Sequence, residues 1–209
     1  MDESITDHDP LAEIDVEPAE EFSVSGAVVS GQSSQWIEQA FLYCPRCGKK
    51  SDHPGSIPFR CSECGLSLFF GPVAAVGGLI VDDQDRLLLV RRARDPGKGQ
   101  WGLPGGFVDR GETIESALER EVREETSLEL TDRSLLLTLP NEYCYQGVTA
   151  PVIDLFYVCR IESIEPLKLE PTELDDHLWI RPGPAQLENM AFESNRMAVE
   201  YWMGSGESP

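Results

Sequence analysis

The stretch GFVDRGETIESALEREVREETSL, residues 106–128, contains the clearest helical pattern in the chain. It predicts a helix from about Thr113, a favourable N-cap residue, to about Thr126. Apolar residues recur at helical spacing and define one face. They are Ile114, Ala117, Leu118 and Val122.

Some acids of this helix lie on its apolar face. Glu115 and Glu119 fall opposite the apolar arc, as solvated acids should, but Glu121 and Glu125 fall inside it and Glu124 borders it. Carboxylates turned toward a core are costly unless a cation compensates them, and acids in a last helical turn also oppose the helix dipole. Clustered carboxylate oxygens suit Mg²⁺ or Mn²⁺, so these glutamates predict a metal site.

The same stretch resembles the Nudix box, G-x5-E-x7-R-E-U-x-E-E-x-G-U, in which U is aliphatic. The matching residues are Gly106, Glu112, Arg120, Glu121, Val122, Glu124, Glu125 and Leu128. Ser127 departs from the pattern, because the family has a glycine there that ends the helix with positive φ. A serine in that conformation should cost roughly 0.5–1 kcal/mol of local stability.

The resemblance extends over about residues 73–203 and implies an α/β/α sandwich with a mixed sheet. It also implies hydrolysis of the pyrophosphate bond in a nucleoside diphosphate linked to a second group, X. Glu121 and Glu125 would be the principal ligands of Mg²⁺ or Mn²⁺, with Glu124 as a further ligand, either direct or through a water molecule. Gly106 would offer its backbone to the metal, and Arg120 would orient the glutamates while pairing with Glu112.

A general base is harder to assign, because the resemblance implies either an acid of the box itself or an acid on a late loop. The late stretch EPTELDDH supplies four acids just before a predicted strand, and Glu173 is favoured among them, although a solvated loop acid fits the sequence about as well. The four acids are Glu170, Glu173, Asp175 and Asp176.

A small basic cluster in this acidic chain could meet the substrate phosphates. Its candidates are Arg91, Arg92, Arg94 and Lys98. Aromatic and amide side chains from predicted loops could contact the base or ribose, although each could equally be core or surface filler. These are Trp101, Tyr143, Tyr145 and Asn141.

Two Cys-x-x-Cys pairs precede this domain, and thirteen residues separate them. Each pair is followed by a glycine, Gly48 or Gly65, where a tight turn needs positive φ. Four thiolates can enclose one ion tetrahedrally, so residues 36–72 predict a small zinc ribbon with a structural Zn²⁺, although iron would fit the same ligands. The ligands are Cys44, Cys47, Cys61 and Cys64.

The termini and the overall charge complete the domain prediction. Residues 1–35 are expected to form a disordered acidic tail, and residues 204–209 a flexible C-terminus. The net charge of −20 argues against broad binding of nucleic acid or anionic membranes, and the sequence contains no membrane-spanning apolar run. We therefore expect a cytoplasmic protein, with a homodimer as one option because family members are often dimers.

Several substrates and functions remain open. A zinc ribbon before a Nudix domain is similar to the arrangement in NADH pyrophosphatases, but their S-Q-P-W-W element is replaced here by TLPNEYCYQG. NADH is therefore less favoured than ADP-ribose, another ADP-sugar, FAD or a dinucleotide. The main alternative is a non-catalytic nucleotide sensor whose ribbon contacts a partner or nucleic acid. An allylic diphosphate isomerase ranks lower.

Overall fold

The computed structural model describes residues 34–205. Residues 1–33 of the predicted tail and residues 206–209 of the predicted C-terminus therefore lie outside the described residues. The strands are β1 Gln35–Trp36, β2 Phe59–Arg60, β3 Ser67–Leu68, β4 Val73–Ile80, β5 Leu87–Arg92, β6 Trp101–Gly102, β7 Leu130–Tyr145, β8 Val148–Ile161 and β9 Leu174–Ile180. The helices are α1 Ile37–Ala40, α2 Ile114–Thr126, α3 Pro184–Glu188 and α4 Glu193–Ser205. None of these helices is long and apolar enough to cross a membrane.

The strands form a mixed sheet, an antiparallel sheet and a short hairpin. Strand β8 lies at the centre of the mixed sheet, parallel to β1 and β4 and antiparallel to β7. In the second sheet, β5 pairs antiparallel with both β6 and β9. The hairpin joins β2 to β3 within the cysteine-rich segment.

Both faces of the central strands are buried. On one face, alternate residues such as Ile80 and Leu88 pack with the apolar side of α2, including Leu118. On the other face, the intervening residues such as Leu79 pack with α4, including Val199. This alternation explains the nearly continuous apolar runs in the sequence and confirms the predicted α/β/α sandwich.

The two apolar runs VAAVGGLIV and RLLLVRR form a hairpin only at the turn that joins them. Val81 and Leu87 make a single bridge, after which β4 pairs with β8 while β5 pairs with β6 and β9. The glycine-rich loop between β6 and α2, residues 103–113, occupies the edge of β4 instead. It does so through hydrogen bonds from Gly78 N to Pro104 O at 2.8 Å and from Val76 N to Gly106 O at 2.9 Å. Beyond that bridge, β4 and β5 therefore separate and leave a gap between them.

Strand β7 extends into a segment for which the sequence predicts a loop. The segment that was expected to be a loop, with Asn141 and Tyr143, belongs to the strand and pairs with β8. Pro140 is tolerated because β7 is an edge strand whose partner among the described residues is β8. Gln146 and Gly147, with φ of 48° and 80°, make the two-residue turn.

Helix α2 confirms the boundaries predicted from the sequence. Thr113 caps its start, and the Thr113 Oγ1 accepts a hydrogen bond from Ser116 N at 3.2 Å. At the other end, Ser127 takes the left-handed conformation with φ of 61°, and its N–H donates to Arg123 O. A serine therefore adopts the backbone geometry that the glycine of the pattern would provide.

We expect Ser127→Gly to raise the free energy of unfolding by about 0.5–1 kcal/mol relative to Ser127→Ala, because glycine adopts this conformation without strain. The alanine variant is the matched control, since both changes remove the serine hydroxyl. Urea denaturation followed by circular dichroism measures the difference. Equal stability of the two variants would contradict this account of the helix end.

Candidate active site

A cavity of about 670 Å³ opens beside the gap between β4 and β5. It is bounded by the glycine-rich loop, the second half of α2, the strands β7 and β8, and the loop before β9. Eleven of the residues predicted as candidates for the active site line it: Arg92, Arg94, Gly106, Arg120, Glu121, Glu124, Glu125, Asn141, Tyr143, Glu170 and Glu173. Arg91 and Trp101 are not among the residues that line it.

Glu125 is the buried acid of this cavity. Glu125 is 7% exposed, and its Oε2 accepts a hydrogen bond from Gly105 N at 2.8 Å. Burial raises the pKa of Glu125 to about 8, and the negative charges of Glu121 and Glu173 act in the same direction. The Gly105 hydrogen bond and the positive charge of Arg92 oppose this rise. A carboxylate held in this way gains from any additional cation in the cavity.

Arg120 organises the neighbouring carboxylates. Its Nε and Nη2 donate to the two carboxylate oxygens of Glu112 at 2.8 and 2.9 Å, which confirms the predicted pairing and lowers the pKa of Glu112 to about 2. Its Nη1 donates to Glu121 at 2.8 Å and to Glu124 at 3.3 Å. Burial raises the pKa of Glu121, while the hydrogen bond from Arg120 lowers it.

Two glycines let the backbone approach these acids closely. A Cβ added at Gly105, where φ is 147°, would lie 2.1 Å from Val76 O, and one added at Gly106 would lie 2.6 Å from Glu121 Oε1. Side chains at these positions would therefore collide with the strand or displace the carboxylate. The pair in WGLPGG is the sequence signal of this close approach.

The loop before β9 is tied to the end of α2. Lys168 N donates to Thr126 O at 2.9 Å, and Glu170 N donates to Glu125 O at 3.0 Å. These bonds satisfy backbone carbonyls that a helix end leaves without a partner. They place the loop, and Glu173 within it, next to the carboxylates of α2.

The four acids predicted around this loop divide into two groups. Glu170 and Glu173 line the cavity, where Glu170 Oε1 is bound by the Thr172 side chain and backbone. Asp175 and Asp176 lie within β9 and pair with Arg91 at 2.6 and 3.3 Å. Of the two acids at the cavity, Glu173 is the one whose charge raises the pKa of both Glu121 and Glu125.

The three arginines predicted to contact phosphate have different partners. Arg91 pairs with the acids of β9 and lies 5.9 Å from the Trp101 ring. The Arg94 Nη2 lies 2.7 Å from Glu173 Oε1. Half-buried Arg92 donates its Nε to Pro96 O at 2.6 Å and has no carboxylate within 4 Å in residues 34–205. Successive strand residues face opposite sides, so Arg91 and Arg92 diverge.

Sequence reasoning missed a second polar group in the cavity. Asp154 of β8 is 7% exposed, and its Oδ2 accepts hydrogen bonds from Asn141 Nδ2 at 2.8 Å and Ser194 Oγ at 2.5 Å. Burial raises the pKa of Asp154, and these two hydrogen bonds lower it. Its signal was a single acid within the apolar run VIDLFYVCRI. Asn195 also lines the cavity.

Aromatic rings line the same region. Phe107 and Tyr143 meet edge to face with their centroids 5.2 Å apart. Tyr143 and Phe192 lie 6.4 Å apart with their planes inclined by 30°. The guanidinium of Arg92 lies 5.1 Å from the centroid of Phe192. The cavity therefore offers apolar faces beside polar groups, as a nucleotide requires.

The four predicted zinc ligands meet in the separate cysteine-rich segment. All four Sγ atoms lie within 4.8 Å of one another, with Cys44 and Cys64 separated by 3.7 Å and Cys47 and Cys61 by 3.6 Å. Tetrahedral zinc with Zn–S bonds of about 2.3 Å would separate its sulfurs by about 3.8 Å. The four thiols are free of disulfides, so the donor set fits Zn²⁺.

The two Cys-x-x-Cys turns have the same backbone geometry. Gly48 and Gly65 have φ of 75° and 70°, and each donates its N–H to the carbonyl of the first cysteine of its pair, at 2.9 and 3.0 Å. This matches the positive φ predicted for both glycines.

The carboxylates of α2 are spaced more widely than the thiols. Within residues 34–205, the cysteines are the one group of three or more His, Cys, Asp or Glu ligands whose atoms all lie within 4.8 Å. The Arg120 guanidinium lies between Glu121 and Glu124, and the Glu124 side chain is 62% exposed. A single ion bound by Glu121, Glu124 and Glu125 would therefore require these side chains to rotate closer together.

Comparison with known proteins gives the same fold. A family model described as the NUDIX domain matches residues 71–200. The chain is 48% identical over 69 residues to the ADP-ribose pyrophosphatase of Methanocaldococcus jannaschii, covering 33% of this chain and 40% of that protein. It is 32% identical over 97 residues to the NAD-capped RNA hydrolase NudC of Vibrio vulnificus, covering 46% of this chain and 36% of that protein. Both matches therefore span less than half of the relative's length.

A solved structure extends the likeness to three dimensions. The MutT NUDIX hydrolase from Burkholderia pseudomallei aligns with a TM-score of 0.52 at 29% identity, covering 63% of this chain and 98% of that chain.

Glu125→Gln should stabilise the protein at alkaline pH in buffer without added Mg²⁺ or Mn²⁺. The pKa of Glu125 rises from an ordinary 4.5 to about 8 on folding, so the folded chain holds an extra proton between these values. The free energy of unfolding of the unchanged protein should therefore fall as pH rises from about 4.5 to about 8. The variant lacks this titration, so its advantage should be larger at pH 8 than at pH 5.

Urea denaturation at both pH values measures this difference, with Glu119→Gln on the opposite side of α2 as the control. An advantage that does not grow with pH would contradict the burial of a titrating carboxyl at this position.

Proposed function

The chain belongs to the Nudix family, and we propose that it is a metal-dependent hydrolase of nucleoside diphosphates linked to a second group. The observation that carries this proposal is Glu125, a buried carboxylate of the Nudix box that faces a cavity next to Glu121. Such a carboxylate is costly in an apolar setting, and a divalent cation would stabilise its charged form.

ADP-ribose and other ADP-sugars are the favoured substrates. The name of the M. jannaschii relative supports ADP-ribose, although its match covers only 69 residues. The NudC match supports the wider class that contains NAD derivatives, and FAD belongs to the same chemical class. We place NADH lower because TLPNEYCYQG stands where NADH pyrophosphatases would carry S-Q-P-W-W.

Glu121 and Glu125 would hold Mg²⁺ or Mn²⁺, with Glu124 and the Gly106 backbone as further contacts. The donor set fits, because carboxylate and carbonyl oxygens are the ligands that these ions prefer. When bound, the ion neutralises phosphate charge and lowers the pKa of an attacking water.

Arg92 and Glu173 have complementary roles in this proposal. Arg92 lines the cavity without a carboxylate partner among the described residues, so its guanidinium can bind the diphosphate oxygens. Glu173 accepts the proton of the attacking water, while Arg94 holds its Oε1. Arg120 keeps Glu121 oriented through the hydrogen bond at 2.8 Å.

Residues 36–72 form a zinc ribbon in this proposal, and residues 73–203 form the hydrolase domain. The ribbon has its own apolar cluster, in which Phe59 packs with Phe41 and Leu66. A structural Zn²⁺ would add the stability that so small a core lacks. Free thiols suit a reducing compartment, so we also propose a cytoplasmic location.

The decisive experiment measures AMP release from ADP-ribose, an ADP-sugar, FAD and NADH with Mg²⁺ or Mn²⁺. We expect hydrolysis of at least one of them and a loss of kcat by two or more orders of magnitude in Glu125→Gln. Glu119→Gln should keep the activity of the unchanged protein. Tight nucleotide binding without turnover would support the sensor alternative and overturn this proposal.

Arg92→Gln should raise KM for ADP-ribose by about tenfold or more, because it removes a charge-assisted contact to phosphate. Arg91→Gln is the matched control, since that side chain pairs with Asp175 and Asp176 of β9. Steady-state kinetics measure both variants. A larger rise in KM for Arg91→Gln than for Arg92→Gln would contradict the assignment of phosphate binding to Arg92.

A further inference from the structure

Asp154 has one carboxylate oxygen in use and one available. Both hydrogen-bond partners of Asp154, Asn141 Nδ2 and Ser194 Oγ, donate to Oδ2. Oδ1 accepts no hydrogen bond from residues 34–205. It is also not fully buried, because Trp202 Nε1 is the one fully buried polar side-chain atom without a partner in that range. Oδ1 of this 7% exposed residue therefore remains accessible from the cavity that Asp154 lines.

A second polar side chain lines the same cavity. Asn195 follows Ser194 directly in α4, and its side chain makes no hydrogen bond within residues 34–205. An amide offers a donor and an acceptor, whereas the free carboxylate oxygen offers an acceptor only. Together, they can bind a ligand edge that presents a donor beside an acceptor.

We propose that Asp154 and Asn195 form a subsite for the edge of an amino-substituted nucleobase, adenine or cytosine. The exocyclic amino group donates to Asp154 Oδ1, and the neighbouring unprotonated ring nitrogen accepts from the Asn195 amide. This inference rests on the proposed function, because the base would belong to the nucleoside diphosphate that is cleaved in the same cavity.

The neighbouring rings favour a planar base over a sugar hydroxyl as the donor. Tyr143 and Phe192 line the cavity and offer faces against which a base can stack. Guanine suits the subsite less well. Its paired N–H groups would engage both oxygens of a carboxylate, whereas Asp154 Oδ2 already accepts two hydrogen bonds.

The hydrogen bonds fix how an amide would lie at position 154. Asn141 Oδ1 accepts from Glu142 N at 2.8 Å, which directs Asn141 Nδ2 toward Asp154. In Asp154→Asn, the introduced amide must therefore present its oxygen to Asn141 and its NH2 group to the cavity. The variant keeps the size of the side chain but replaces a cavity acceptor with a donor.

The test compares kcat/KM for ADP-ribose and IDP-ribose. The base of ADP-ribose carries an amino group where the base of IDP-ribose carries a carbonyl. The unchanged protein should prefer ADP-ribose by about tenfold or more, since a hydrogen bond to a charged group contributes that much. Asp154→Asn should abolish or reverse the preference. Asp176→Asn, in a residue paired with Arg91 outside the cavity, should retain it.

Asn195→Ala supplies a second variant that does not disturb the buried hydrogen bonds of Asp154, and it should also reduce the preference. CDP-ribose distinguishes the two amino bases, and a rate closer to ADP-ribose than to IDP-ribose would identify cytosine as a further ligand. Equal rates on ADP-ribose and IDP-ribose, or an unchanged ratio in Asp154→Asn, would overturn the subsite.

Failure of the proposed hydrolysis is separable from failure of this subsite. If no substrate is cleaved, calorimetry measures the dissociation constants of ADP-ribose and IDP-ribose for the unchanged protein and for Asp154→Asn. The ratio of the two constants then replaces the ratio of kcat/KM values. A preference for ADP-ribose that Asp154→Asn removes would then support the subsite in a binding protein, and its absence would refute it.

Discussion

The central constraint in this molecule is the burial of a carboxylate at Glu125 against a backbone N–H. The hydrogen bond from Gly105 lowers the pKa of Glu125 but does not cancel the effect of burial, because the pKa remains raised to about 8. The surroundings are built around this acid. The glycine-rich loop must lie against β4 to supply the N–H, and that loop separates β4 from β5. The cavity follows from the same separation.

The sequence was most informative where one physical rule dominated. The boundaries of α2 followed from its N-cap and its apolar period, and the left-handed Ser127 followed from a position where glycine was expected. The two cysteine turns followed from ligand spacing and from glycines of positive φ. In these cases local chemistry restricts the backbone before any distant contact forms.

Distant pairings were less accessible from the sequence. The strand β7 includes a segment that resembled a loop because Pro140 and Asn141 interrupt its apolar pattern, and only its pairing with β8 makes it a strand. The different partners of Arg91 and Arg92 depend on β9, whose two acids form ion pairs with Arg91. Asp154 could have been noticed as an acid in an apolar run, but its partner Ser194 is forty residues away.

The attachment of the loop before β9 to α2 has a consequence for tolerance to length changes. Backbone bonds from Lys168 and Glu170 fix that loop to the helix, whereas residues 162–166 upstream are exposed. Insertions or deletions in that upstream segment can be absorbed before Lys168 is reached. The connection can thus vary in length while the spacing between Glu173 and the acids of α2 is preserved.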